Sequence, residues 1–251
     1  MPTYDEIRKQ RKDKHNDRAL RQTQNPPLKI IARIRTDFPT KFGVPRQSGI
    51  IDALKAVIVF EPEYRNPDTL RGLEGFSHIW LIWEFSENVR DRWSPMVKPP
   101  RLGGNTRMGV FATRSPFRPN SIGLSCVRLE GVEPDTDQGP VIHVSGADMI
   151  DNTPIYDIKP YIPYTDSHPE AVGGFADPVR DYRLEVEFPE VLQNLLPEER
   201  REAILGVLAC DPRPSYQNDP DRIYGVEFAG FDVRFTVRET VLTVCEVISL
   251  I

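Results

Sequence analysis

The residue pattern predicts a mainly β protein that ends in a small α+β module, and three observations carry this. Apolar residues recur at alternate positions in most hydrophobic stretches between 28 and 162, which is the period of a half-buried strand. Twenty-four prolines and 16 glycines cut the chain into strand-length pieces, as breakers do. Helical spacing is confined to residues 189–209.

The chain has 251 residues, of which 39% are apolar and 27% charged. That describes a globular protein with room for one large or two modest domains. HIWLIW and AVIVF are too short to span a bilayer. No signal-peptide pattern opens the chain. Cys126, Cys210 and Cys245 are isolated, without CxxC spacing, so they read as reduced structural thiols. The expectation is a cytoplasmic protein with no membrane and no metal.

Residues 1–27 carry seven basic residues and four acids, with Ile7 and Leu20 the large aliphatics after Met1. They form a charged extension, either a solvated helix or a loose segment. A first domain over 28–165 begins with LKIIARIRT (28–36), where Leu28, Ile30, Ala32 and Ile34 share one face. Further strands are expected at 50–60 and at 76–85, the latter apolar on both faces and so central or doubly covered. Residues 86–107 are irregular, a loop length that favours function over idleness. Strands near 122–132, 141–148 and 155–162 follow, the last confined to a sheet edge by Pro160. A second domain over 166–251 opens with a Pro/Gly-rich linker. It continues with a strand at 180–188, helices at 189–196 and 198–209, and strands at 231–238 and 241–250 joined at Glu239–Thr240.

The chemistry concentrates in GVFATRSPFRPNSIGLS (109–125). Pro116 and Pro119 fix its bends, so Arg114, Arg118 and Asn120 are presented at set positions. Pre-positioned donors suit an anionic or carboxylate-bearing ligand; a surface loop with incidental arginines is the alternative. From Arg90 to Arg128 eight basic residues, including Arg101 and Arg107, stand against the single acid Asp91. Such a block is either a phosphate-backbone footprint or a solvated face. Asp148, Asp151 and Asp157 are candidates for a divalent metal, for a base, or for turn caps. Asp157 shares its strand face with Lys159 and Tyr161. No P-loop, GxGxxG, HExxH or GxSxG pattern occurs.

FGVPRQSGI, RGLEGFSHIWLI, PPRLGGNTRMGVFATRSPFRPNSIGLS and DMIDNTPIYDIKPYIPY together resemble the TsaA-like family of S-adenosylmethionine-dependent tRNA methyltransferases. LACDPRPSYQNDPDRIYGVEFAGFDVRF resembles that family's C-terminal domain, so the likeness runs from about residue 28 to the end. It implies a β-barrel first domain that binds S-adenosyl-L-methionine without a Rossmann fold, and a homodimer. It implies methylation of N6 of N6-threonylcarbamoyladenosine (t6A) at position 37 of tRNA. By the same resemblance the cofactor touches Pro45, Arg46 and Gln47, then His78 and Ile79, then Arg114 and Leu124, and the loop of Asp151, Asn152, Thr153 and Pro154. Asn152 stands where the family usually has Gly, and Ser121 where Pro is common after RPN. Asn tolerates positive φ, so the loop can still turn.

Asp157 is then a candidate proton acceptor, and Arg101, Arg107, Arg118 and Tyr161 are candidates for RNA contact, with Trp93 and Phe117 as further stacking residues. Two other classes compete: an RNA-binding module without catalysis, and a metal-dependent hydrolase built on Asp148, Asp151 and Asp157.

Overall fold

A computed structural model describes residues 27–88, 93–99, 102, 106–214, 217 and 219–250. The charged extension up to residue 26, Arg90, Arg92 and Arg101 lie outside the described residues. Six strands close into a barrel: β1 (Ala32–Arg35), β2 (Lys55–Phe60), β3 (His78–Glu84), β6 (Ile122–Glu133), β7 (Val141–Ser145) and β8 (Thr153–Pro160). Their order round the barrel is β1-β2-β7-β6-β3-β8, every neighbour antiparallel. Between β3 and β6 a two-stranded ribbon, β4 (Met96–Val97) and β5 (Met108–Gly109), interrupts the irregular stretch.

Period-two patterning dictates what fills the barrel. Ala32 and Ile34 of β1, Ala56 and Ile58 of β2, and Ile79 and Leu81 of β3 all point inward and belong to one buried cluster. The expectation of an edge position for the 155–162 strand is corrected: β8 lies between β1 and β3, and closure leaves no edge. Pro160 is tolerated because β1 pairs with β8 only over Thr153–Ile155, so nothing on that side requires its missing N–H. β3 is central, as expected, though its outer face is half-exposed rather than covered.

The remaining elements are α1 (Pro163–Asp166), β9 (Glu185–Glu187), α2 (Glu190–Gln193), α3 (Glu198–Ala209), β10 (Tyr224–Phe228), β11 (Phe231–Arg238) and β12 (Val241–Ser249). β10, β11, β12 and β9 form a second sheet in that order, with β9 parallel to β12. α3 lays Ala203, Ile204, Val207 and Leu208 against it, building a second core. That core also takes Phe38, Ile51 and Leu54 from the β1–β2 connection. This is why β2 begins at Lys55 and not at 50: the preceding residues are spent on packing. The Phe38 and Phe228 rings meet edge to face at 5.2 Å, and Gly206 of α3 leaves room for Ile51, whose Cγ2 would stand 2.7 Å from a Cβ. The connection that carries Pro45–Gln47 is thus anchored at both ends on the second core.

Inside the barrel Gly123 faces the indole of Trp83, and a Cβ there would overlap the ring. Gly123→Ala is therefore expected to destabilise by about 1–3 kcal/mol, a drop of several degrees in thermal midpoint for a chain of this size. Gly131→Ala in the same strand, with nothing within 4 Å, is the control and should leave the midpoint nearly unmoved in a calorimetric scan.

Candidate active site

The 110–121 connection braces itself before it holds anything else. The Thr113 hydroxyl donates to the Val110 carbonyl at 2.8 Å and accepts from the Ser115 N–H at 3.2 Å. The Ser115 hydroxyl accepts from the Phe117 N–H at 3.2 Å, and the Arg118 guanidinium returns to the Thr113 carbonyl at 3.1 Å. These short-range turns, with Pro116 and Pro119, set the backbone from which the exposed Arg114 reaches out. Its guanidinium donates to Gln47 Oε1. Gln47 Nε2 donates to the Arg46 carbonyl at 2.5 Å, and Arg46 Nη2 to the Arg213 carbonyl at 3.3 Å. Arg213 is buried and paired twice with Asp211, at 2.9 and 3.0 Å. A polar chain therefore runs from the second core to the barrel.

Its barrel end is Asp148, two residues beyond the positive-φ Gly146 that ends β7. Gly146 accepts from the Gly49 N–H at 2.9 Å, and a Cβ on it would lie 3.2 Å from the Gly49 backbone, so the 45–50 loop rests directly on this turn. Asp148 Oδ1 accepts from the Ser125 hydroxyl at 2.6 Å, and Ser125 Oγ accepts from Trp83 Nε1 at 2.9 Å. Burial pushes the Asp148 carboxyl up to about 6, against the opposing pull of Ser125, its own backbone, Arg114 and Ser48.

The other expected residues differ widely in their surroundings. Pro45, Thr153 and Pro154 are buried, and the Ile79 side chain is wholly inside the barrel. Asp151 takes the Thr36 N–H at 3.1 Å and Arg35 at 3.5 Å, while its own N–H goes to the Phe38 carbonyl at 2.8 Å. It ties down the exit of β1. Asn152 adopts φ 65°, the positive value anticipated for it. Leu124 is 54% exposed on the outer face, in register with Ile82 of β3, which is itself in register with Asp157 of β8. His78 stands at the start of β3, its Nδ1 2.9 Å from the Ser77 hydroxyl and its ring 6.1 Å from that of Tyr161. Arg107 is exposed, and the exposed rings of Trp93 and Phe111 stack at 6.4 Å.

The carboxylates read as a metal set do not assemble one: Asp148 holds Ser125, Asp151 holds β1, and Asp157 pairs with Lys159 at 2.9 Å. Among the described residues no three His, Cys, Asp or Glu side chains are grouped to hold a metal ion, so the hydrolase alternative loses its site. No helix among them is long and apolar enough to cross a membrane.

Ser125 and Trp83 were not singled out from the sequence, although a signal existed: in GLSCV the inward positions are Gly123, Ser125 and Val127, and a hydroxyl in a core needs a partner.

Because burial raises the folded pKa of Asp148, its ionisation costs stability once pH climbs past its unfolded value of 3.8 towards about 6. Asp148→Asn should then raise the unfolding free energy at pH 8 by about 1–2 kcal/mol after allowance for its partial exposure. The gain should shrink to nothing near pH 4; denaturant titrations at both pH values check the sign.

With this geometry in place, comparison with known proteins identifies the chain's relatives. The family model for the tRNA-methyltransferase O N-terminal domain matches residues 33–167, and that for the TrmO C-terminal domain matches residues 181–250. A tRNA (adenine(37)-N6)-methyltransferase of Escherichia coli is 41% identical over 217 residues, 83% of this chain and 92% of that protein. A Pseudomonas aeruginosa protein described as an S-adenosylmethionine-dependent methyltransferase is 40% identical over 213 residues, 82% of this chain and 90% of its own length. The crystal structure of TrmO from P. aeruginosa superposes with a TM-score of 0.72 at 34% identity, covering 90% of this chain and 98% of its own. A fold of two modules, a matching pair of family domains and relatives aligned along most of their length lead to one conclusion: the chain belongs to the tRNA-methyltransferase O family.

Proposed function

We propose that this chain methylates N6 of adenine 37 in tRNA at the expense of S-adenosyl-L-methionine, and that the adenine it takes is t6A. The observation that carries this is the exposed Arg114 guanidinium, oriented by Gln47 on a self-braced connection at the barrel mouth, in a chain whose relatives are named for that reaction. The residues present suit such a cofactor: Arg114 offers a charge-assisted donor to its carboxylate, and Leu124 an exposed apolar surface.

When bound, the cofactor supplies a methyl group on a sulfonium, which passes in line to N6 while the bonding pair stays on sulfur and N6 gives up its proton. The protein's part is alignment and the proton. Leu124, Ile82 and Asp157 stand in one row across three strands on the outer face, so roughly 10 Å separates the outer two. Asp157, held by Lys159 and by the Ile158 N–H at 2.9 Å, is the acceptor we propose for that proton. Arg101, Arg107 and Arg118 are assigned to the phosphate backbone, and Tyr161 to stacking of a loop base. On this reading the chain works as a homodimer in the cytoplasm, with the barrel domain over 28–165 and the second over 166–251. Sedimentation at micromolar concentration reads the dimer directly.

The decisive experiment offers tRNA with and without the threonylcarbamoyl group, together with S-adenosylmethionine. Transfer to the modified tRNA alone is expected. Tight tRNA binding without transfer would leave only an RNA-binding module.

Arg114→Ala should weaken cofactor binding by about 1.5–3 kcal/mol, one to two decades in Kd by calorimetry, with the fold intact. Asp157→Asn should cut turnover by about 10²–10⁴ if it accepts the proton, with cofactor and tRNA still bound. Undiminished turnover would return Asp157 to a purely architectural role.

A further inference from the structure

We infer that Asp148 is the seat of the cofactor's α-ammonium group, so that Arg114 and Asp148 together clamp the zwitterionic amino-acid end of the molecule. The inference rests on the reading given under Proposed function and deepens it. Asp148 and Arg114 sit on separately braced backbones, one on the turn after β7 and the other on the 110–121 connection. They act on one another through space, yet the direct partner of Arg114 is Gln47 and that of Asp148 is Ser125. Opposite charges held near each other but not closed into an ion pair match a ligand whose ammonium and carboxylate are one carbon apart.

The way Asp148 is held also argues for a binding role. Ser125, itself fixed by the buried Trp83 indole, occupies Oδ1 and sets the plane of the carboxylate. A carboxylate that burial makes costly to ionise gains most from a cation brought to it. The groups that face it are Arg114 from the 110–121 connection, Ser125 from β6 and the Ser48 main chain from the β1–β2 connection. In the absence of ligand, only Arg114 among these offers positive charge.

Calorimetry on the full-length protein tests this with three probes: S-adenosylmethionine, its analogue lacking the α-amino group, and its decarboxylated analogue. Asp148→Asn should weaken S-adenosylmethionine about 10- to 100-fold and leave the deaminated analogue unchanged, whereas Arg114→Ala should spare the decarboxylated one. Wild-type affinity for S-adenosylmethionine should rise as Asp148 ionises through about pH 6 and fall again near pH 8 as the ligand's amino group loses its proton. Asp148→Asn should lack the acid limb. At saturating cofactor its kcat should be close to that of the wild type, with the loss in KM.

Equal losses for all three probes would mean a structural role and overturn the inference, as would a fall in kcat with KM unchanged, which would mark a base. If Asp148→Asn binds S-adenosylmethionine as the wild type does, only this inference fails. If the wild type itself does not bind it, the proposed function fails with it.

Discussion

Closure of the barrel is the constraint on which the rest depends, and β3 is where it is most exacting. A sheet of six strands rolled shut has an interior just wide enough for side chains, so every inward position must be apolar or privately satisfied. β3 meets β6 on one side and β8 on the other, and contributes Ile79, Leu81 and Trp83 to the centre. Trp83 brings a buried N–H with it. That donor is satisfied only because Ser125 of β6 faces it, and the indole has space only because position 123 is glycine. Three residues on two strands are thus chosen together, and the Ser125 hydroxyl, once bound to the indole, still has a proton to donate. It donates it to Asp148. A demand of the core is in this way handed outward to the mouth of the barrel, where it fixes the position of a charge.

At the mouth the site is made from connections, each rigid for a different reason. The 110–121 segment relies on proline and on hydroxyls turned onto its own backbone. The turn after β7 relies on the left-handed Gly146 and its contact with Gly49. The β1–β2 connection turns at left-handed glycines of its own, Gly43 and Gly49, but its footing is the burial of Phe38, Ile51 and Leu54 in the other core. Remove the second sheet and the Pro45–Gln47 loop loses its footing, along with the Arg213 carbonyl that Arg46 binds. The C-terminal module therefore belongs to the site through packing, although none of its strands approaches the barrel's interior.

The strands of the barrel and the helix over 198–209 were legible because period alone decides them: Ala32 and Ile34, or Ala203, Ile204, Val207 and Leu208, announce a single buried face. β10 was not, although Tyr224, Val226 and Phe228 alternate as they should, because Gly225 and the preceding aspartates and proline make the stretch read as a turn. The edge assignment for Pro160 failed for a reason no local rule contains: a strand longer than its neighbour has an unpaired flank even inside a closed barrel. The central stretch was legible as a site because proline and arginine in one short connection have few other uses. Asp148 was seen, but grouped with Asp151 and Asp157 by nearness in sequence. In the fold the three point to different tasks, since a bend after β7 and a register shift in β8 separate them. The +φ of Asn152 was legible, being a property of the residue itself.

Charge completes the logic. The net charge of −5 says little about a nucleic-acid partner, because what matters is where the cations are free to act. Many are already engaged: Arg33 by Glu61 and Lys55 by Glu130 in the barrel, and Arg200 of α3 by Asp37. Such pairs hold side chains flat on the surface and present little net field. Arg107 and Arg114 are exposed on the segment between β3 and β6, where acids are nearly absent from the sequence. A field of one sign over one face, beside the stacked rings of Trp93 and Phe111, attracts a polyanion, while the net acidic remainder of the chain repels it and so favours approach to that face. The same poverty of acids gives Asp148 its significance. It is the carboxylate that the barrel holds beside Arg114 at the mouth, partly withdrawn from water and anchored to the core behind it, and retaining it there sacrifices stability that an asparagine would keep.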